Sequence, residues 1–320
     1  MSPDGENSQQ EQSVMRWLLD SDPSIRWQVM RDLSDAPPNA VAAVRSRVAV
    51  EGWGAMLLAR QRPDGNWGDG VITQHWRSNL YTLLRLRYLG VDPTSERVQK
   101  AIALTRDRVT WGAEFGDSPF FEGEVEPCIN GGTLALGSYF GEPSDRLVDR
   151  LLGEQLTDGG WNCEAERGSV RSSFHSTICV LEGLLEYEKA RGTTVDVTDA
   201  RGRAHEYLLE RRLLRKLSSG EMINAKWTRL TFPSMWQYDV LRGLSYLRDA
   251  DVAPDGRMDE GVHVVEQGRL PDGRWPLDAS PRDVFDGVSE DGVGEPNRWN
   301  TLRASRVLKW HSKRSKAATA

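Results

Sequence analysis

The chain has 320 residues, long for one ordinary domain but normal for one built from repeats. Its 41 basic and 47 acidic residues leave a net charge of −6, which provides no basic face for nucleic acid. No uninterrupted apolar run approaches the ~18 residues of a membrane span. Three widely spaced cysteines do not make a secreted disulfide framework, so a cytoplasmic setting is the default.

Residues 1–12 are polar and acidic, and read as a disordered leader rather than a signal peptide. The segment 12–19 then begins an alternation of two helix types. Apolar, Leu-rich helices with Gly or Ala at helical spacing are expected at 26–33, 75–89, 128–140, 175–187, 236–247 and 299–310. Their starts recur at about 50 to 60 residues. More polar, amphipathic helices are expected at 12–19, 41–60, 96–108, 144–155, 199–217 and 259–267. The basic run 211–216 falls at the end of one of these and reads as a solvated outer face. Residues 276–296, rich in Asp, Gly and Ser, make a long loop before the last apolar helix, and 312–320 a disordered tail.

A turn punctuates the repeats. Gln61–Trp67 and Gln155–Trp161 share Gln-x-x-x-Gly-x-Trp, and Arg269–Trp275 repeats it with Arg for Gln. Asp64-Gly65, Asp158-Gly159 and Asp272-Gly273 supply tight turns in which Gly takes a positive φ. Tryptophan is also more abundant (12) than tyrosine or phenylalanine (7 each), and several of the tryptophans lie in these turns or at apolar-helix starts, as structural repetition requires. Six apolar and six amphipathic helices fit an all-α double ring, apolar set inside, spanning 13–311 as one domain. An open solenoid also stacks helix pairs. The last unit resembles an inner helix rather than a polar cap, which favours closure.

These turns and helix pairs resemble the terpenoid cyclase and protein prenyltransferase superfamily, and the resemblance implies an (α/α)6 toroid over nearly the whole chain. The turns are specific for fold and say little of activity. Cyclases similar to squalene–hopene cyclase protonate an alkene with an Asp-x-Asp-Asp cluster and need a second domain. Here Asp249-Ala250-Asp251 lacks the adjacent Asp and is expected in a surface loop.

The prenyltransferase β-subunits hold zinc with an Asp-x-Cys at one inner-helix start and a His at the next. Glu126-Pro127-Cys128 and His175 match those positions, with Glu for Asp. The resemblance therefore implies a Zn²⁺ site of Glu126, Cys128 and His175 at one mouth of the toroid, with Cys163 as a further ligand or a nearby thiol. Carboxylate, thiolate and imidazole are donors that Zn²⁺ accepts, and three ligands leave a fourth place open. Singly, each of these residues is as readily a core Cys or a hydrogen-bonded His. Residues 117–125, where that family holds a diphosphate with Arg and Lys, are acidic and aromatic here, which disfavours protein farnesylation.

Other inner-helix starts offer His75, Tyr238 and Asp239 for proton transfer, and Trp76, Trp236, Arg298, Trp299 and Asn300 for a pocket, with Arg171 as a basic group for an anion. Each has a structural alternative in packing or capping. The expected function is a zinc-dependent, transferase- or cyclase-like enzyme acting on an apolar or isoprenoid-like small molecule by metal-activated thiolate or water. A metal-independent cyclase and a non-catalytic binding module are the alternatives.

Overall fold

The computed structural model describes residues 3–68, 70–71, 78–279 and 292–318, with side chains from 8 to 312. Thirteen α-helices order the described residues: α1 Pro3–Leu19, α2 Pro23–Asp32, α3 Pro38–Arg47, α4 Gly52–Ala59, α5 Asn79–Leu89, α6 Glu96–Arg108, α7 Pro127–Phe140, α8 Asp145–Gly153, α9 Phe174–Arg191, α10 Val195–Glu210, α11 Val240–Asp249, α12 Asp259–Gln267 and α13 Arg298–Ala318. Among these residues there are isolated β-bridges and no strands.

Local chemistry sets the helix ends. Ser78, Ser95, Ser144, Thr194 and Asp239 each accept a backbone N–H from the first turn of their helix. Gly90 and Gly141 end α5 and α7 in the left-handed conformation that a Cβ resists.

The chain is an (α/α)6 toroid. Contacts run α5–α7, α7–α9, α9–α11, α11–α13 and α13–α2. The ring of inner helices closes between α2 and α5, where Trp27 Nε1 donates to the Leu89 carbonyl (3.0 Å) and Gln28 Nε2 to that of Tyr88 (3.0 Å). The outer ring is α1, α4, α6, α8, α10 and α12. Its two ends also meet. Arg274 and Arg298 lie over the Trp17 ring of α1, at 4.2 and 4.5 Å, and Gln10 Nε2 donates to the Pro271 carbonyl. An open solenoid makes no such end-to-end contacts.

The three Trp turns staple this double ring. Trp67, Trp161 and Trp275 are buried, and each indole N–H donates to a carbonyl near the end of the preceding outer helix: Leu57 (2.8 Å), Leu151 (2.7 Å) and Val265 (2.6 Å). Gln61 Nε2 reaches both its own turn, at Gly65, and the next outer helix, at the Ala101 carbonyl (2.9 Å). Gln155 does the same with Gly159 and Ala200 (2.8 Å). The glutamine thus ties neighbouring repeats together as well as ending its own helix. Among the described residues Arg269 reaches only its own turn, at Gly273, and lies 5.4 Å from the Trp275 ring.

Several expected boundaries shift. Residues 3–12, expected as a disordered leader, begin α1, whose Val14 and Leu18 are buried. The tail at 312–318 continues α13. The helix expected over 41–60 is two, because Gly52 takes φ +60° and its preceding turn breaks the hydrogen-bond ladder. The helix expected to 217 stops at Glu210. Arg212 and Leu213 adopt positive φ, Leu213 and Leu214 are buried, and Arg211 stacks on Tyr207 at 4.0 Å. The run 211–216 is therefore a turn, not a helix face. Most of the loop expected at 276–296 lies outside the described residues. Its ends are joined where Leu277 N–H donates to the Glu295 carbonyl.

Candidate functional site

At the N-terminal ends of α7 and α9, three ligating side chains converge. Glu126 precedes Pro127 at the start of α7, and Cys128 follows in its first turn. The loop before it is held rigidly. The Glu124 carboxylate accepts the Glu126 N–H (2.9 Å), Asn130 Oδ1 accepts the Glu124 N–H (2.8 Å), and Arg150 donates to the Glu124 and Val125 carbonyls. Cys163 sits just after the Trp161 turn, and its N–H donates to Ser176 Oγ (3.2 Å). One oxygen of Glu126 and the sulfurs of Cys128 and Cys163 lie within 4.8 Å of one another. The Cys128 thiol donates to Glu126 Oε2 (3.6 Å); the neighbouring Cys163, then burial, push the Cys128 pKa up, and the neighbouring Cys128 lowers that of Cys163.

His175 is not in this cluster. Its Nδ1 accepts the Tyr238 N–H (2.8 Å), and its ring meets Trp236 at 5.0 Å and Trp227 at 5.7 Å. The reason is helix phase. Burying Phe174 among Tyr207, Trp227 and Tyr238 turns the next residue toward the segment before α11, and puts Ser176 beside Cys163. Burial lowers the His175 pKa to about 4, so the ring is neutral at pH 7 with its proton on Nε2.

His175 lines an outer pocket of about 380 Å³ together with Trp227, Trp236, Lys226 and Arg229. Tyr238 and Asp239 also border it, but both are committed elsewhere. The Tyr238 hydroxyl donates to the Leu213 carbonyl (2.8 Å), and burial raises its pKa well above the usual phenol range. Asp239 caps α11 through the Arg242 N–H (2.7 Å) and accepts from Thr231 Oγ1 (2.6 Å). Both hold structure at their present positions. Trp236 is partly exposed at the rim.

A second cavity, about 410 Å³, lies toward the C-terminal ends of the inner helices and is lined by all six of them. Its aromatic walls include Trp27, Tyr88, Phe232 and Trp299. Seven arginines (31, 45, 87, 242, 248, 303 and 306) and Lys189 also line it, against the acids Glu182, Glu186 and Asp249. Arg242 and Glu182 form a buried bidentate pair (2.9 Å for both bonds), and Arg87 meets Glu186 at 3.2 Å. Positive charge remains in excess. Asp249, expected in a surface loop, is the last residue of α11 and lies on this wall. Three buried donors here, Ser234 Oγ, Trp299 Nε1 and Arg306 Nε, have no hydrogen-bond partner among the described residues.

The segment before α11 separates the two ends. Phe232 stacks on Trp299 (4.7 Å), the Ser234 carbonyl accepts from Tyr88 Oη (3.3 Å), and Met235 is buried. A void of only about 10 Å³ remains beside Cys128, Met235, Trp236 and Arg242. Neither Cys128 nor Cys163 lines the large cavity.

Among the other expected pocket residues, Trp299 lines the cavity and Asn300 does not. The Asn300 amide donates to the Leu230 and Pro276 carbonyls (3.1 and 2.9 Å) and so ties loops together. Arg298 lies over Trp17, and Arg171 is exposed, its carbonyl accepting from Asn162 Nδ2 (2.7 Å). His75 and Trp76 lie outside the described residues. The arginines of the cavity were missed in the sequence, although charged residues recurring inside helices read as apolar and inner (Arg87, Arg242, Arg303, Arg306) were a usable signal.

No protein-family profile matches the chain, and no curated protein matches it. Solved structures do. The type II terpene cyclase MstE from Scytonema, without ligand, is 17% identical, with a TM-score of 0.42, covering 91% of this chain and 87% of that one. A variant of the same enzyme bound to its product, merosterolic acid A, gives 16% identity and a TM-score of 0.43, covering 90% of this chain and 86% of that one. A protein from Actinoplanes gives 16% and 0.40, covering 91% and 90%. The fold is the (α/α)6 toroid. At such identities and scores it rests on the helix order and closure contacts described above. No helix among the described residues is long and apolar enough to cross a membrane.

Proposed function

We propose that this chain is a terpenoid cyclase-like enzyme that takes an isoprenoid-like small molecule with an anionic end group into its central cavity. The observation that carries this reading is the cavity wall, where aromatic faces stand beside an excess of arginines and three buried donors lack partners among the described residues. Aromatic surface suits an unsaturated hydrocarbon body. Guanidinium groups and orphaned N–H and O–H donors suit an acceptor-rich, charged end, because a buried donor left unmade is costly. Arg306 remains cationic at neutral pH although burial lowers its pKa to about 9. The same positive charge opposes an uncompensated carbocation, so the anionic end of the ligand is integral to the reading.

Calorimetric titration of the full chain with geranylgeranyl diphosphate and with geranylgeraniol tests it. The diphosphate should bind at least ~10-fold more tightly, as one or two charge-assisted hydrogen bonds provide, and added salt or Arg303→Gln should weaken it. Equal affinity for the uncharged alcohol would sink the proposal. A non-catalytic module is the second reading, favoured by the Phe232–Met235 plug, which closes the bore toward the other mouth. Binding of the diphosphate with no conversion to an extractable product would select it.

A further inference from the structure

Glu126 and Cys128 come from one repeat and Cys163 from the next, and the close packing of α7 on α9 brings them together. Among the described residues Glu126 is in no salt bridge; its carboxylate meets the Cys128 thiol at 3.6 Å. The two sulfurs and a carboxylate oxygen lie within 4.8 Å of one another, close enough to share one cation.

We propose that Glu126, Cys128 and Cys163 bind one borderline-soft divalent cation, such as Zn²⁺, with His175 outside the site. The donor set is two sulfurs and one oxygen, which Zn²⁺ takes in tetrahedral geometry, and the exposure of Glu126 leaves the fourth position to water or an outside ligand. Binding displaces the proton of each thiol to solvent. The neighbouring groups fit the role. The Glu124 and Asn130 bonds fix the loop carrying Glu126. Ser176 Oγ, 3.3 Å from Cys163 Sγ, supplies the outer hydrogen bond that orients a ligand. His175 is excluded because its Nδ1 already accepts the Tyr238 N–H and its ring is packed among tryptophans. This site lies across the Met235–Trp236 plug from the arginine-lined cavity, so it stands independently of the ligand proposed there.

The test uses the full chain, purified without chelator, with metal content read by elemental mass spectrometry and Co²⁺ added to metal-free protein as a spectroscopic probe. Stoichiometric zinc and a thiolate-to-cobalt charge-transfer band are expected. Cys128→Ser and Cys163→Ser should each abolish that band while circular dichroism stays helical, and His175→Ala should keep both zinc and band. Loss of metal in His175→Ala with retention in Cys163→Ser would overturn the assignment. So would a metal-free protein whose intact mass is lower by two hydrogens, the signature of a Cys128–Cys163 disulfide. If a cysteine variant fails to fold, the cobalt spectrum of the unmodified chain still decides whether thiolates bind the metal.

Discussion

Two histidines hold their imidazoles neutral because burial costs the charged form more than any neighbour returns. His205 Nε2 bonds the Tyr246 hydroxyl (2.9 Å), and burial, then Arg201, lowers its pKa to about 4; His175 is lowered to about 4 by burial, then Arg242. In the unfolded chain each titrates near the ordinary 6.5. Between pH 6.5 and 4 the unfolded state binds more protons, so stability is full above 6.5 and falls as pH drops through that window. The slope is at most about 1.4 kcal/mol per pH unit for His205 and less for His175, which sits at a pocket rim. Urea midpoints at pH 7.5 and 5 should differ accordingly, and His205→Gln should flatten the difference; an unchanged difference would mean other groups dominate. At this scale the sequence reads His175 as a metal ligand, whereas the structure packs its ring against Trp236 and Trp227, outside the Glu126, Cys128 and Cys163 cluster. The sequence could not tell which way the ring points, since one step of helix rotation separates Cys163 from Trp236 as its neighbour.

Among the elements, α7 and α9 pack most closely, and glycine is why. A Cβ on Gly131 would lie 2.6 Å from the Cys179 backbone, and one on Gly183 would lie 2.5 Å from the Gly131 carbonyl. The two backbones therefore touch. Gly183→Ala should force the helices apart and lower stability by at least ~1–3 kcal/mol, measured as a shift in the urea midpoint at constant slope. A neutral outcome would show that α7 and α9 can slide without loss. The Gly spacing in helices read as inner was visible in the sequence; that two such glycines meet across a pair was not. The break between α3 and α4 was missed for a similar reason, since Gly52 is tolerated in a helix pattern and only its positive φ reveals the turn.

For the whole molecule, the first and last inner helices, α2 and α13, are joined at Asp32. Burial raises its pKa, but the guanidinium groups of Arg31 and Arg306 outweigh that and hold the carboxyl below the usual range. Lys309 of the last helix also donates to the Asp32 carbonyl (2.8 Å). Asp32→Ala leaves Arg306 buried without its counter-charge, a loss of about 3–5 kcal/mol for a broken buried pair. A fall of that size in unfolding free energy is expected, and a loss under about 1 kcal/mol, typical of an exposed pair, would place the join between α2 and α13 elsewhere.

The sequence by itself determined the helix alternation, the three Trp staples and hence the toroid, because periodicity and Gly-turn chemistry are local and repeat in register. It also singled out Glu126, Cys128 and His175, with Cys163 nearby, as an expected group of donors. Only the tertiary structure decided which donors meet, since that depends on the rotation of α9 about its axis. It also decided that the bore is interrupted by Phe232 and Met235 and that the large cavity is lined with arginine. Those outcomes follow from side chains far apart in the chain, which ring closure alone brings to one axis.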